Sequence, residues 1–147
     1  MFPFSWDNAG MDHLTKEKRS WNMRRITSKD TAPEIAFRKL VHQAGFRYRL
    51  HDKTLPGKPD LVLKKYRTAV FIHGCFWHGH ENCRRSNTPK TNKQYWKDKI
   101  ERNVARDEKN VTMLGRAGWR VFVVWECELK MPEKVLKRFQ RFIKKTA

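Results

Sequence analysis

Negative charge is scarce in this sequence. The 147 residues include 15 Asp and Glu against 33 Lys and Arg, which leaves a formal net charge of +18. Such an excess of cations disfavours basic partners and attracts polyanions. The chain also carries six Trp, nine Phe and three Tyr, and aromatic rings among cations favour a nucleic-acid partner over a merely soluble basic surface.

Long apolar runs are also absent. No stretch approaches the ~20 residues that a membrane-spanning helix needs. The start, MFPFSWDNAG, has neither the basic beginning nor the apolar core of a secretion signal. We therefore expect a cytoplasmic, bacterial-type protein that associates with the nucleoid rather than a membrane. Its length suits one domain over 1–147, with 1–14 as a loosely ordered extension.

Glycine, proline and polar residues divide the chain into alternating helices and strands, which is typical of an α/β fold. Thr31 and Glu34 have the spacing of a capping box, so a helix is expected to begin there. The expected elements are a helix at about 15–25, a helix from about 32 to Gly45, strands at 46–51, 60–63 and 68–73, a long helix at about 92–116, a buried strand at 119–125, and a basic amphipathic helix that closes the chain.

The strands 60–63 and 68–73 are joined by the short link KKYR, which predicts an antiparallel hairpin. Pairing about the centre of that link sets Asp60 roughly opposite His73. The strand 68–73, the long helix and the strand 119–125 form a βαβ unit, so the two strands are expected to be parallel. Their carboxyl ends then lie together, where open α/β sheets usually hold their sites.

Cysteine is scarce too, and a disulfide framework would leave one of the three residues over. Cys75 and Cys127 each lie two residues past one of the parallel strands, so the crossover brings them together. With His80 and Cys83 they form C-x4-H-x2-C-x43-C, a Cys3His set that can close a tetrahedral Zn²⁺ site. Three unrelated buried cysteines are the alternative. The sequence favours a structural zinc.

Two histidines of the same stretch, His73 and His78, remain for chemistry. Asp60 faces His73 in the expected hairpin, and Asp107 lies on the apolar stripe of the long helix, where a carboxylate needs a partner. Glu34 can approach, although its capping role explains it without catalysis. Two histidines and two carboxylates within a basic shell suit phosphodiester hydrolysis assisted by a hard cation such as Mg²⁺.

The residues resemble those of the very short patch repair (Vsr) endonucleases, which nick DNA beside a T·G mismatch. The resemblance runs from about Arg19 to Leu129. The motifs that carry it are RSWNM (19–23), TAPE (31–34), LPGKPD (55–60), FIHGCFWHGH (71–80), Tyr95-Trp96, NVARD (103–107) and GWRVFVVWEC (118–127).

The resemblance implies a restriction-endonuclease-like fold of the PD-(D/E)xK type, a mixed central sheet flanked by helices. It implies that Asp60 and the main-chain oxygen of Ile72 bind Mg²⁺. It makes His78 the general base oriented by Asp107, with His73 and Glu34 completing the site. The structural zinc ligands it implies are the same four residues, Cys75, His80, Cys83 and Cys127.

Several positions depart from the family pattern. Ile72 stands where the best-known pattern has Thr, and Gly79 replaces a further histidine. The residues 81–82 lengthen the turn before Cys83, and the acidic-x-Lys half of the restriction motif does not follow Asp60. None of these departures removes a proposed catalytic group.

The pair Phe76-Trp77 lies on a glycine-flanked loop between the zinc ligands and the histidines. Aromatic residues are more often core, but rings fixed in this way can wedge between base pairs, most easily at a mismatch. The resemblance adds Trp96 to the wedge and places Met23 on the opposite groove.

The expected function is a Mg²⁺-dependent endonuclease that nicks one strand of mismatched double-stranded DNA, acting as a monomer. Two alternatives stay open. One is a Vsr-like homing or defence endonuclease that cuts another DNA target. The other is a zinc-stabilised DNA-binding module without catalysis, which has no need of Asp60, His78 and Asp107.

Overall fold

The computed structural model of the protein describes residue 17 and residues 30–145. The expected extension at 1–14 and the intercalating residue Met23 lie outside the described residues. So does the expected helix at 15–25, apart from residue 17.

The described residues form a four-stranded mixed sheet with helices on both faces. The strand order is β1-β2-β3-β4; the first two pairings are antiparallel and β3 pairs with β4 in parallel. This confirms the expected mixed α/β fold and the parallel βαβ unit. The elements are α1 (Ala32–Gln43), β1 (Arg49–Leu50), β2 (Leu61–Leu63), β3 (Thr68–His73), α2 (Lys93–Arg116), β4 (Arg120–Trp125) and α3 (Pro132–Lys144).

Helix α1 begins where the capping pattern predicts. The Oγ1 atom of Thr31 accepts the N–H of Glu34 at 3.4 Å, which satisfies one of the free donors of the first turn. The Glu34 carboxylate accepts the N–H of Asp30 at 3.0 Å and not that of Thr31. Only half of the capping box is therefore formed, and the Glu34 carboxylate is turned towards other partners.

The alternation of side chains along β3 divides the core into two parts. Val70 and Ile72 face α1 and α3, where Phe37 and Phe139 meet edge to face with ring centroids 5.6 Å apart. Phe71 packs on the opposite face with Leu114 of α2. Because successive side chains of a strand point to opposite faces, His73 lies on the α2 face with Phe71.

Two expectations about the first hairpin are wrong. The register pairs Leu61 with Val70, which sets Asp60 level with Phe71 and not with His73. The hairpin is centred on the link 64–67, as expected, but counting outwards from these four residues brings Asp60 level with Phe71, two residues short of His73. The strand expected at 46–51 is paired only at Arg49–Leu50.

Helix α3 is amphipathic, as its sequence predicts. Val135, Phe139 and Ile143 are buried against the sheet, and burial of each such side chain contributes about 1.5–3 kcal/mol. The opposite, exposed face carries the cations Lys134, Lys137, Arg141 and Lys144. No helix in the described part of the chain is long and apolar enough to cross a membrane.

Candidate functional site

The site lies at the edge of the sheet where β3 and β4 end, with His73 level with Trp125. A compact loop follows β3, held by the N–H of His78 on the carbonyl of Gly74 at 3.2 Å and by the N–H of His80 on the carbonyl of Cys75 at 2.9 Å. Gly79 has φ +61°, and a Cβ there would lie 2.9 Å from Cγ2 of Ile100. The loop can pack this closely on α2 only because residue 79 has no side chain.

His78 is held by Asp107 of α2. Its Nδ1 atom lies 2.6 Å from Oδ2 of Asp107, and each side chain is about one fifth exposed. A carboxylate at Nδ1 fixes the ring and keeps the proton on that nitrogen. The other ring nitrogen, Nε2, is thereby left as an acceptor, which is the state a general base needs.

The ring of His73 stacks on that of His78, with centroids 3.9 Å apart and planes 1° from parallel. His73 is 8% exposed. Burial, and next the neighbouring His78, lower the pKa of His73 to about 4. His73 is therefore a neutral ring at neutral pH. The ligand atoms of His73, His78 and Asp107 all lie within 4.8 Å of one another.

Asp60 lies at the same edge of the sheet as His73, but its carboxylate is close to Ile72 and Glu34. Its Oδ2 atom accepts the N–H of Ile72 at 2.7 Å. Because the N–H and C=O of a strand residue point to the same side, the Ile72 carbonyl is directed to the side of the Asp60 carboxylate. Burial, opposed by this hydrogen bond and reinforced by Glu34, raises the pKa of Asp60 to about 6.

A group of four polar residues next to Asp60 was not predicted as a unit. Glu34 is 4% exposed, and Arg38, His51 and Asp30 gather around it. The guanidinium of Arg38 contacts Oδ1 of Asp30 at 2.7 Å, Oε2 of Glu34 at 3.0 Å and Nε2 of His51 at 3.0 Å. No local motif predicts this group. Asp30, Glu34 and Arg38 follow one another at four-residue spacing at the start of α1, and His51 lies in a loop thirteen positions after Arg38.

Cys75, His80, Cys83 and Cys127 come together as expected, with one ligand atom of each within 4.8 Å of the others. Cys127 Sγ lies 3.5 Å from Nδ1 of His80. Burial raises the pKa of the Cys75 and Cys127 thiols. The His80 ring is fixed by stacking on Trp125 at 4.1 Å. A tetrahedral ion with bonds of about 2.3 Å needs ligand atoms about 3.5–3.8 Å apart, so the four side chains fit a zinc ion.

The aromatic residues of the loop form one cluster with α2. Phe76, Trp77 and Trp96 lie with ring centroids 5.1–6.0 Å apart, and the ammonium of Lys99 lies 5.2 Å from the Trp77 ring. Phe76 is only 1% exposed, whereas Trp77 and Trp96 are half-buried. Phe76 is therefore closed off from any ligand while the loop keeps this conformation, whereas part of the Trp77 ring is accessible.

Comparison with known proteins gives one family. The family model described as DNA mismatch endonuclease Vsr matches residues 11–85. The chain is similar to the DNA mismatch endonuclease Vsr of Escherichia coli, with 44% identity over 82% of this chain and 76% of that protein. It is also similar to the type II nicking enzyme V.NmeAIP of Neisseria meningitidis, with 50% identity over 90% of this chain and 94% of the relative.

Among solved structures, the catalytic domain of the homing endonuclease I-Bth0305I has a similar fold. The TM-score is 0.55 at 20% identity, over 77% of this chain and 94% of that domain. At this identity the likeness concerns the fold alone, and it agrees with the mixed sheet and flanking helices described above.

Proposed function

The chain belongs to the Vsr family of DNA mismatch endonucleases and is therefore a DNA endonuclease, and we propose that it nicks one strand of the duplex next to a T·G mismatch with the help of Mg²⁺. The observation that carries the proposal is the 2.6 Å contact between His78 and Asp107 at the sheet edge. A module that only binds DNA has no use for an imidazole fixed in this way.

His78 is the proposed general base. A water molecule at Nε2 would lose its proton to that nitrogen as its oxygen attacks the scissile phosphorus, and the bond to the leaving oxygen would break. Asp107 would stabilise the imidazolium formed, and general-base catalysis of this kind contributes roughly 10²–10⁴-fold. His73, neutral and stacked on His78, is proposed to hold the water and a phosphate oxygen.

Asp60 and the main-chain oxygen of Ile72 are the proposed Mg²⁺ ligands. They fit the ion, because Mg²⁺ prefers oxygen ligands and because Asp60 is a buried carboxylate close to a second one, Glu34. When bound there, the cation would offset charge on the scissile phosphate. Glu34 is proposed to complete this part of the site.

Zn²⁺ is the proposed occupant of the Cys3His cluster. With four protein ligands the site would be closed, so its role would be structural. It would tie the loop after β3 to the segment after β4, and would thereby fix His78, which lies between the ligands Cys75 and His80.

DNA binding is proposed to combine two surfaces. Trp77, supported by Trp96 and Phe76, would stack on bases at the mismatch, where unstacking costs least. The excess of Lys and Arg, including the exposed cations of α3, would contact phosphates. We further propose a restriction-endonuclease-like single domain that acts as a monomer in the bacterial cytoplasm.

Supercoiled plasmid tests the endonuclease proposal. With Mg²⁺ the wild-type protein should convert a plasmid that carries one T·G mismatch to the relaxed circle, and EDTA should stop the reaction. A linear product would show a double-strand cut, which belongs to the homing or defence alternative. Binding without any conversion would identify a non-catalytic module.

A further inference from the structure

Arg38 is a largely buried cation at the sheet edge, and nothing in the proposed chemistry uses it. It lies one helical turn after Glu34 on α1, and its side chain is 12% exposed while that of Glu34 is 6% exposed. An exposed i,i+4 ion pair would contribute little. A buried guanidinium is different, because it is costly unless its charge and its donors are matched.

The two terminal nitrogens of the guanidinium are matched by groups from three segments of the chain, while its buried Nε atom has no hydrogen-bond partner among the described residues. Nη1 contacts the carboxylate of Asp30, and Nη2 contacts both the carboxylate of Glu34 and Nε2 of His51. Because a guanidinium only donates, the His51 nitrogen accepts in this contact. Arg38 therefore joins helix α1 to the end of β1.

The contact with His51 extends to Asp60. The backbone N–H of His51 donates to the carbonyl of Asp60 at 3.3 Å, and His51 holds the uncommon φ of 49°. Burial raises the Asp60 pKa, and the charge of Arg38 acts in the opposite direction. One guanidinium thus contacts the Glu34 carboxylate directly and the Asp60 backbone through one residue.

We propose that Arg38 is a positioning residue of the nuclease site, which holds the Glu34 carboxylate beside Asp60 and compensates its charge. The proposal rests on the proposed function, since it gives Arg38 its role through Glu34. Met at this position would keep the unbranched aliphatic part of the side chain without the charge or the donors. Lys would keep the charge but could not hold Asp30, Glu34 and His51 together, because the ammonium lacks the planar fork.

The experiment compares four proteins with wild type: Arg38→Met, Arg38→Lys, Glu34→Gln and the double variant Glu34→Gln/Arg38→Met. Arg120→Met is the matched control. Arg120 is also a partly buried arginine, which donates to the carbonyl of Phe142 at 2.6 Å, but it lies at the opposite end of β4. Single-turnover nicking in Mg²⁺, duplex affinity in EDTA and the unfolding midpoint are measured for each.

Arg38→Met should slow nicking roughly 10- to 100-fold, the scale expected when a catalytic group moves by about 1 Å, with affinity in EDTA unchanged. Arg38→Lys should recover only part of the rate. In the Glu34→Gln background, Arg38→Met should have no further effect on the rate. Arg120→Met should lower the midpoint without changing the rate of the folded protein.

Multiplied losses in the double variant would overturn the proposal, because Arg38 would then act independently of Glu34. The proposal would also be overturned if the lower nicking rate of Arg38→Met were fully explained by its larger unfolded fraction, as is expected for Arg120→Met. Normal nicking by Glu34→Gln would remove the role of Glu34 as well, and that pattern would refute this part of the proposed function itself.

Discussion

Nδ1 of His78 lies 2.6 Å from Oδ2 of Asp107, and this contact joins the loop after β3 to the middle of α2. The two residues are 29 positions apart in the chain, so the βαβ crossover is what brings them together. The contact sets both the tautomer and the orientation of the proposed base. The first prediction follows from it.

Asp107→Asn should keep the shape of the site but lose the charge that stabilises the His78 imidazolium. We expect single-turnover nicking to fall by roughly 10²–10⁴-fold, while duplex affinity in EDTA stays within about twofold, since the substitution leaves the Lys and Arg residues proposed to contact phosphates in place. Asp98→Asn is the control, because Asp98 is exposed on the same helix and its carboxylate accepts a hydrogen bond from Gln94. Equal losses in both variants would show a general effect of charge on α2.

Asp60→Asn should stabilise the metal-free protein in a pH-dependent way. Folding raises the Asp60 pKa from 3.8 to about 6, so the folded state binds the proton more tightly. The contribution of protonated Asp60 to wild-type stability is therefore fully present below pH 3.8 and is lost as the pH rises through about 6. Urea unfolding should give the same free energy of unfolding for Asp60→Asn and wild type below pH 3.8. Above pH 6 the variant should be more stable than wild type by about 2–3 kcal/mol.

Adding Mg²⁺ to the same proteins separates a ligand from a merely buried acid. The wild type should gain stability above the pH window, because the cation binds the ionised carboxylate of the folded state. Asp60→Asn should gain much less and should not nick. If Mg²⁺ stabilised both proteins equally, Asp60 would not be the ligand.

Cys127→Ser should destabilise the whole fold, because it removes the ligand that ties the segment after β4 to the loop after β3. Metal analysis of carefully purified wild type should find one zinc per chain, and a strong chelator should reduce stability in the same direction as the substitution. Protein that is free of zinc and a Ser variant of equal stability would together contradict a structural zinc site.

Trp77→Ala should reduce the preference for mismatched over matched duplex more than it reduces duplex binding in general. We expect affinity for a mismatched duplex to fall by roughly 1–3 kcal/mol, the usual contribution of one base–aromatic stack, with little change for matched duplex or in the salt dependence. Trp119→Ala is the control, since Trp119 packs beneath α2 at the other end of the sheet. Weaker binding of every duplex by Trp77→Ala, with a lowered melting temperature, would show that Trp77 is ordinary core.

The sequence predicted those strands and helices whose apolar pattern follows directly from which of their side chains are buried. The continuous apolar runs predicted β3 and β4, and the crossover rule then placed Cys127 beside Cys75. The apolar stripe of α2 predicted a buried partner for Asp107, which is His78. The short link also predicted the antiparallel hairpin, and the strands pair symmetrically about residues 64–67. That register sets Asp60 level with Phe71, so the expected pairing of Asp60 with His73 was wrong by two residues.

The Arg38 group was not predicted from the sequence. Arg38 and Glu34 look like an ordinary surface pair in the sequence, and only the fold shows that both are buried. His51 was read as the end of a strand, whereas its φ of 49° turns the chain there. Phe76 and Trp77 are adjacent aromatic residues, and the sequence made both of them equal candidates to intercalate. Only the packing shows that Phe76 is buried and that Trp77 is partly accessible.

The most direct test of the proposed function is the single-turnover nicking rate on a set of otherwise identical duplexes that carry T·G, each other mismatch, or a matched pair at one position. With Mg²⁺, we predict fast incision of one strand beside T·G, slow or no incision of the matched duplex, and no incision by His78→Ala. Equal rates on matched and T·G duplexes would contradict mismatch recognition and would leave a DNA endonuclease that reads a different target.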